Sequence, residues 1–152
     1  FTDFIPRYYT SSAVAIQGVK PGENADFTTM WTVLGFPLTS VVTPLWLCMG
    51  EDQPSVVVLN KNGVAPICDN AIKLKQQLFP INRAYGENYL NINALYNVSN
   101  TGIMQKLKPI EDQIFDTAIK KLETWRGNNN FRQQIPDLYK FISQTILNEY
   151  IK

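Results

Sequence analysis

Residues Thr28 to Cys48 read TTMWTVLGFPLTSVVTPLWLC, a run of β-branched, aromatic and apolar residues broken by Gly35 and by Pro37 and Pro44. Such punctuation excludes a membrane-spanning helix, because proline removes a donor and clashes with the preceding turn. Two strands are the better reading. Thr28 to Leu34 forms one, Gly35-Phe36-Pro37 ends it, and Ser40 to Cys48 forms another in which Pro44 lacks the N–H that a central ladder needs. That second strand is therefore expected at an edge or at a bulge.

Working outward, Ser12 to Val19 holds apolar residues in both alternation classes, the pattern of a strand covered on both faces. Lys20-Pro21-Gly22-Glu23 fits a turn, with Pro fixing φ and Gly tolerating a positive one, so Ser12–Val19 and Thr28–Leu34 pair as a hairpin. Ser55 to Leu59 reads as a fourth strand, closed by the Asn-Gly turn signal in Asn60-Lys61-Asn62-Gly63. The expected β portion is a four-stranded antiparallel meander.

Beyond Asp69 the period changes to that of helices. Asp69 is placed to cap a helix running to Leu78, ahead of Pro80. From Asn82 to Asn100 no period emerges. Pro109 suits the first turn of a helix with Ile110, Ile114, Phe115, Ala118, Ile119, Leu122 and Trp125 on one stripe, ending at Gly127. A last helix follows Asn128 to Asn130, with Leu138, Tyr139, Ile142, Ile146 and Tyr150 along one face and Pro136 opening or bending it. The fold class is thus α+β, an antiparallel meander (1–60) followed by helices (69–152).

Composition limits the function. The 152 residues suffice for one domain, at 45% hydrophobic and 18% charged the chain is globular rather than disordered, and the net charge of +1 offers no basic stripe for nucleic acid. With no histidine and two cysteines, Cys48 and Cys68, neither a conventional zinc site nor a disulfide framework is available, and no cofactor is expected. The paired acids Glu51-Asp52 and Glu111-Asp112 read as a loop and a first helical turn rather than as a catalytic pair. Phe1-Thr2-Asp3 has no basic head or cleavage site, and a first residue other than Met is expected of a processed or truncated chain.

A strand layer with helices on one side only wants a partner for its other face. The segments Phe4-Ile5-Pro6-Arg7, Ser11 to Val19, Thr28-Thr29-Met30-Trp31 and Leu34-Gly35-Phe36-Pro37 resemble the C-terminal half of secreted Bacteroidetes proteins. These belong to the acyl-CoA:6-aminopenicillanic acid acyltransferase-like, linear amide C–N hydrolase group of the N-terminal-nucleophile superfamily. The resemblance covers the first third of the chain. It implies half of an αββα sandwich, an extracytoplasmic location, and a self-exposed N-terminal cysteine that attacks an amide carbonyl.

Phe1 carries no nucleophile, so the resemblance places that cysteine on an upstream segment, leaving this chain inactive alone. By position Arg7 resembles the arginine that shapes the nucleophile's surroundings, a role its permanent charge suits. The other reading of Arg7 is an exposed side chain or one paired with Asp3. Trp31 and Tyr9 are candidates to line an acyl pocket for a small N-acyl amide or acyl substrate, against a plain core role for strand aromatics. The competing function is a non-catalytic α+β module for interaction or ligand binding.

Overall fold

Thr29–Leu34 is the central strand of a three-stranded antiparallel sheet, flanked by Ser12–Gln17 on one side and Thr43–Trp46 on the other; in chain order these are β1 (Ser12–Gln17), β2 (Thr29–Leu34) and β3 (Thr43–Trp46). The computed structural model describes residues 6–126 and 131–150. Ser12 pairs with Leu34 and Gln17 with Thr29, while Thr29 and Thr32 pair with Trp46 and Thr43. The Lys20–Glu23 turn forms as expected, with Glu23 N donating to Lys20 O at 3.0 Å and Gly22 at φ 85°.

The register decides which backbone groups are used. Gly35 N donates to Ser11 O at 2.9 Å, and antiparallel alternation then makes Ala13/Val33, Ala15/Trp31 and Gln17/Thr29 the other bonded pairs of β1 and β2. Met30 and Thr32 are left to bond Leu45 and Thr43. It follows that Ser12, Val14 and Ile16 turn their backbone groups away from the sheet on one edge, and Pro44 and Trp46 on the other. Pro44 therefore occupies an outward position on an edge strand, where its missing N–H costs no ladder bond.

A fourth strand does not form. Residues 55–57 form a turn and Val58 a bend, Val56 is fully buried, and Val58 and Leu59 are exposed. The cause lies at the outer edge of β3, where Tyr139 Oη accepts from Trp46 N at 2.9 Å and Glu111 Oε1 accepts from Val42 N at 3.2 Å. With those donors capped by side chains and Pro44 between them, no ladder remains for Ser55–Leu59 to join. The Asn60–Gly63 turn does form, Asn60 N donating to Val64 O at 3.0 Å.

Among the described residues four α-helices follow: α1 (Pro66–Leu78), α2 (Ile92–Leu95), α3 (Ile103–Trp125) and α4 (Ile135–Tyr150). Two starts differ from the expected ones. In α1, Pro66 takes the first helical position and Asp69 sits within the first turn, paired with Lys73 at 2.7 Å, so proline rather than a side-chain cap opens the helix. In α3, Pro109 lies inside the helix. Gln105 holds the extra turns in place: its Oε1 accepts from Asn97 N at 2.9 Å and Gly102 N at 3.1 Å, and its Nε2 donates to Asn97 O at 2.9 Å. Ile103 and Leu107 are buried there as well. Pro136 falls in the first turn of α4, as one of the two expectations had it. Gly127 and Asn128 to Asn130 lie outside the described residues.

Alternation puts Trp31 and Trp46 on one face of the sheet and Thr32 and Thr43 on the other. The first face meets the helices. Trp31 packs on Phe115 of α3 at 4.7 Å between ring centroids, and Trp46 packs on Trp125 at 5.4 Å and Tyr139 at 5.7 Å. α1 crosses the end of β2 so closely that a Cβ on Gly35 would lie 2.6 Å from Ala71 Cβ, and Gly35 also has φ 83°. Only glycine meets both demands. One cluster of buried side chains joins strand and helix residues.

Candidate functional site

β1 is the part of the sheet that the core leaves out. All six of its residues are exposed, against the expectation of a strand covered on both faces. The opposite face of the sheet is covered at Thr32 and Thr43, which are buried, yet Val14 and Ile16 on that same face are 54% and 71% exposed. The cover thus stops short of β1. Its sequence, SAVAIQ, has no charge, proline or bulge, the usual protections of a free edge. Among the described residues the outward groups of Ser12, Val14 and Ile16 have no strand partner.

Tyr8 fixes the approach to this edge. Its ring meets Phe79 edge-on at 4.8 Å, Lys75 Nζ of α1 lies 3.7 Å from its centroid, and Lys75 also donates to Tyr8 O. Burial pushes the pKa of Lys75 down. Cation–ring attraction and the carbonyl bond act together and tie the segment before β1 to α1. Nothing in the sequence marked Lys75, since its contacts come from 67 residues away.

Arg7 and Tyr9 flank this anchor, both exposed, with Tyr9 at 80% and edge-on to Tyr8 at 5.0 Å. Arg7 O accepts from Thr10 N at 2.9 Å. Its suggested partner Asp3, like Phe4 and Ile5, lies outside the described residues. Trp31 is a core side chain, 8% exposed, whose Nε1 donates to Gln17 Oε1 at 2.9 Å. The structure therefore gathers Arg7 and Tyr9 at the entry to the open edge and places Trp31 beneath the sheet against α3.

The remaining sequence candidates have structural duties. Cys48 and Cys68 are free, half-buried thiols whose pKa values burial raises, with Asp26 adding to the effect at Cys48, so neither is an activated nucleophile. Glu111 caps Val42 and Asp112 pairs with Lys108. The described residues contain no group of three acidic or cysteine side chains suited to a metal ion, and no described helix is long and apolar enough to cross a membrane. Comparison with protein-family models, with curated proteins and with solved structures finds no match to the chain.

Proposed function

We propose that this chain supplies an incomplete sheet to a larger assembly, in which β1 receives an extended strand from another polypeptide segment. The observation that carries this reading is the complete exposure of β1, an unprotected edge beside a closed one. An unpaired row of N–H and C=O groups is matched only by another strand, because no other occupant offers donors and acceptors at that spacing. The fuller form of the reading is one half of an N-terminal-nucleophile amide hydrolase or acyltransferase acting outside the cytoplasm on a small N-acyl amide. Its attacking cysteine lies on the completing segment. Arg7 is exposed, as the other reading of it expects; what this form of the reading rests on is its position directly ahead of the open edge, where an incoming segment would gain a fixed positive charge for a thiolate or an oxyanion.

The single core shared by strands and helices favours a second reading, a self-standing module that binds an extended peptide through β1 without chemistry. Co-expression with a cysteine-bearing segment encoded upstream, followed by assay on N-acyl amides and thioesters, separates the two. Turnover that Arg7→Ala reduces at least tenfold supports the enzyme. A stable complex without turnover leaves the module, and absence of any complex with that segment rejects the enzyme.

A further inference from the structure

The two faces of β1 dictate the side chains that a strand laid against it must carry. Antiparallel pairing sets Ala13 opposite Val33 and Ala15 opposite Trp31, so both alanines lie on the face that the helices cover at Trp31. Both are nevertheless exposed. The helix layer thus stops short of them, and their two methyl groups form the roof of a step at the margin of the sheet. Val14 and Ile16 stand on the other face, 54% and 71% exposed.

The floor of the step belongs to α3. Phe115 meets Trp31 at 4.7 Å between ring centroids, and Arg126 reaches the β1–β2 connection, its Nε 3.5 Å from Glu23 Oε1. Positions 115, 119 and 126, at intervals of four and then seven residues, share one flank of a helix. Ile119 therefore lies between those two contacts, under the β1 side of the sheet, and it is 42% exposed. Asp116 and Glu123 adjoin it about one turn to either side. Both are exposed, and among the described residues neither forms an ion pair.

A second copy of the chain would fill this edge poorly. Pairing β1 with another β1 through the outward groups of Ser12, Val14 and Ile16 opposes alanine to alanine on the helix side, and the step stays empty. Bulky side chains at alternate positions of the incoming strand would fill it. The two carboxylates favour a cation among them, whose aliphatic stem covers Ile119 while its charged head reaches the rim. Val14 and Ile16 are matched by apolar neighbours on the other face. Given that β1 accepts a strand, the reading on which this rests, we infer that the strand is apolar on both faces, with bulky residues and a Lys or Arg on the side toward α3.

The probes are six-residue strands, the length of β1, carried through a Gly-Ser linker on a soluble protein and titrated into the full chain. Each has Val at alternate positions. The positions between hold Phe-Lys-Phe in the first strand, Ala-Lys-Ala in the second and Phe-Glu-Phe in the third. Backbone amide NMR of residues 12–17 follows binding, with slowed amide exchange expected at Ser12, Val14 and Ile16, the outward donors. The first strand should saturate, the second bind at least about tenfold more weakly and the third at least about threefold more weakly. Ile119→Ala should weaken the first strand at least about threefold and the second by less. Equal binding of all three strands, or indifference to Ile119→Ala, overturns the proposal while β1 remains an acceptor. Absence of slowed exchange with every strand overturns the acceptor reading together with it, and dimerisation through β1 that no strand displaces overturns it in favour of a second copy.

Discussion

The Tyr139 hydroxyl accepts the backbone N–H of Trp46 at 2.9 Å, joining α4 to the outer edge of β3 across 93 residues of sequence. One oxygen thereby finishes a sheet edge that would otherwise recruit a strand. Tyr139→Phe keeps the ring stacked on Trp46 and removes only this acceptor, leaving a buried N–H unpaired at a cost of about 1–3 kcal/mol. Urea unfolding is the measurement. An unchanged midpoint would show that the bond contributes nothing to closing the edge.

The opposite edge predicts a different phenotype. Val14→Lys and Ile16→Lys replace exposed side chains on β1, so each is expected to change folding stability by no more than ~0.5 kcal/mol. Both place a gatekeeping charge on an open strand and should abolish capture of a completing strand, read as loss of co-purification with the partner segment and lower self-association in sedimentation. Large destabilisation by either variant would mean that β1 is packed rather than free.

Which of these features the sequence could disclose depends on how local their causes are. The β1–β2 hairpin follows from two β-branched runs about a Pro-Gly turn, and the stripe of α4 from three- and four-residue spacing, so both are legible in place. Ser55–Leu59 has the composition of a strand as well, yet its fate is decided by Tyr139 and Glu111, distant residues that occupy the edge it would have joined. The early start of α3 depends likewise on Gln105 reaching back to Asn97. Arg7 could be singled out from its place before β1. Lys75, which sets how Arg7 is presented, could not, and neither could the step beside β1, whose floor belongs to α3.

Thr32 and Thr43 face each other across β2 and β3, both buried, and neither hydroxyl has a partner. Valine has nearly the same shape without the polar atom. Thr32→Val and Thr43→Val should each therefore raise stability, by about 1 kcal/mol, by removing an unmet desolvation cost. Calorimetry of the single and double variants checks the sign. A drop in melting temperature for both would indicate that the hydroxyls bond each other or a bridging water in solution.

Alkaline pH supplies the last test, through Tyr150 and Tyr139. Burial raises both phenols, Tyr150 to about 12 and Tyr139 further, and the Tyr150 hydroxyl donates to Thr39 O at 3.1 Å, tying the end of α4 to the turn after β2. Since an unfolded tyrosine titrates near 10, the folded state keeps protons that the unfolded state has released. The associated stability is present in full below pH ~10 and is lost as pH rises through the folded values. For Tyr150 alone the rise from near 10 to about 12 corresponds to roughly 3 kcal/mol. Lys75 acts in the opposite sense, because burial lowers its pKa and relief of its desolvation strengthens folding up to about pH 10.4. Denaturant unfolding between pH 9 and 12 should accordingly show a steep decline above ~10.5, and Tyr150→Phe, though less stable at neutral pH, should show a shallower one. Parallel declines for the variant and the parent chain would mean that the Tyr150 phenol is solvated, with its bond to Thr39 absent in solution.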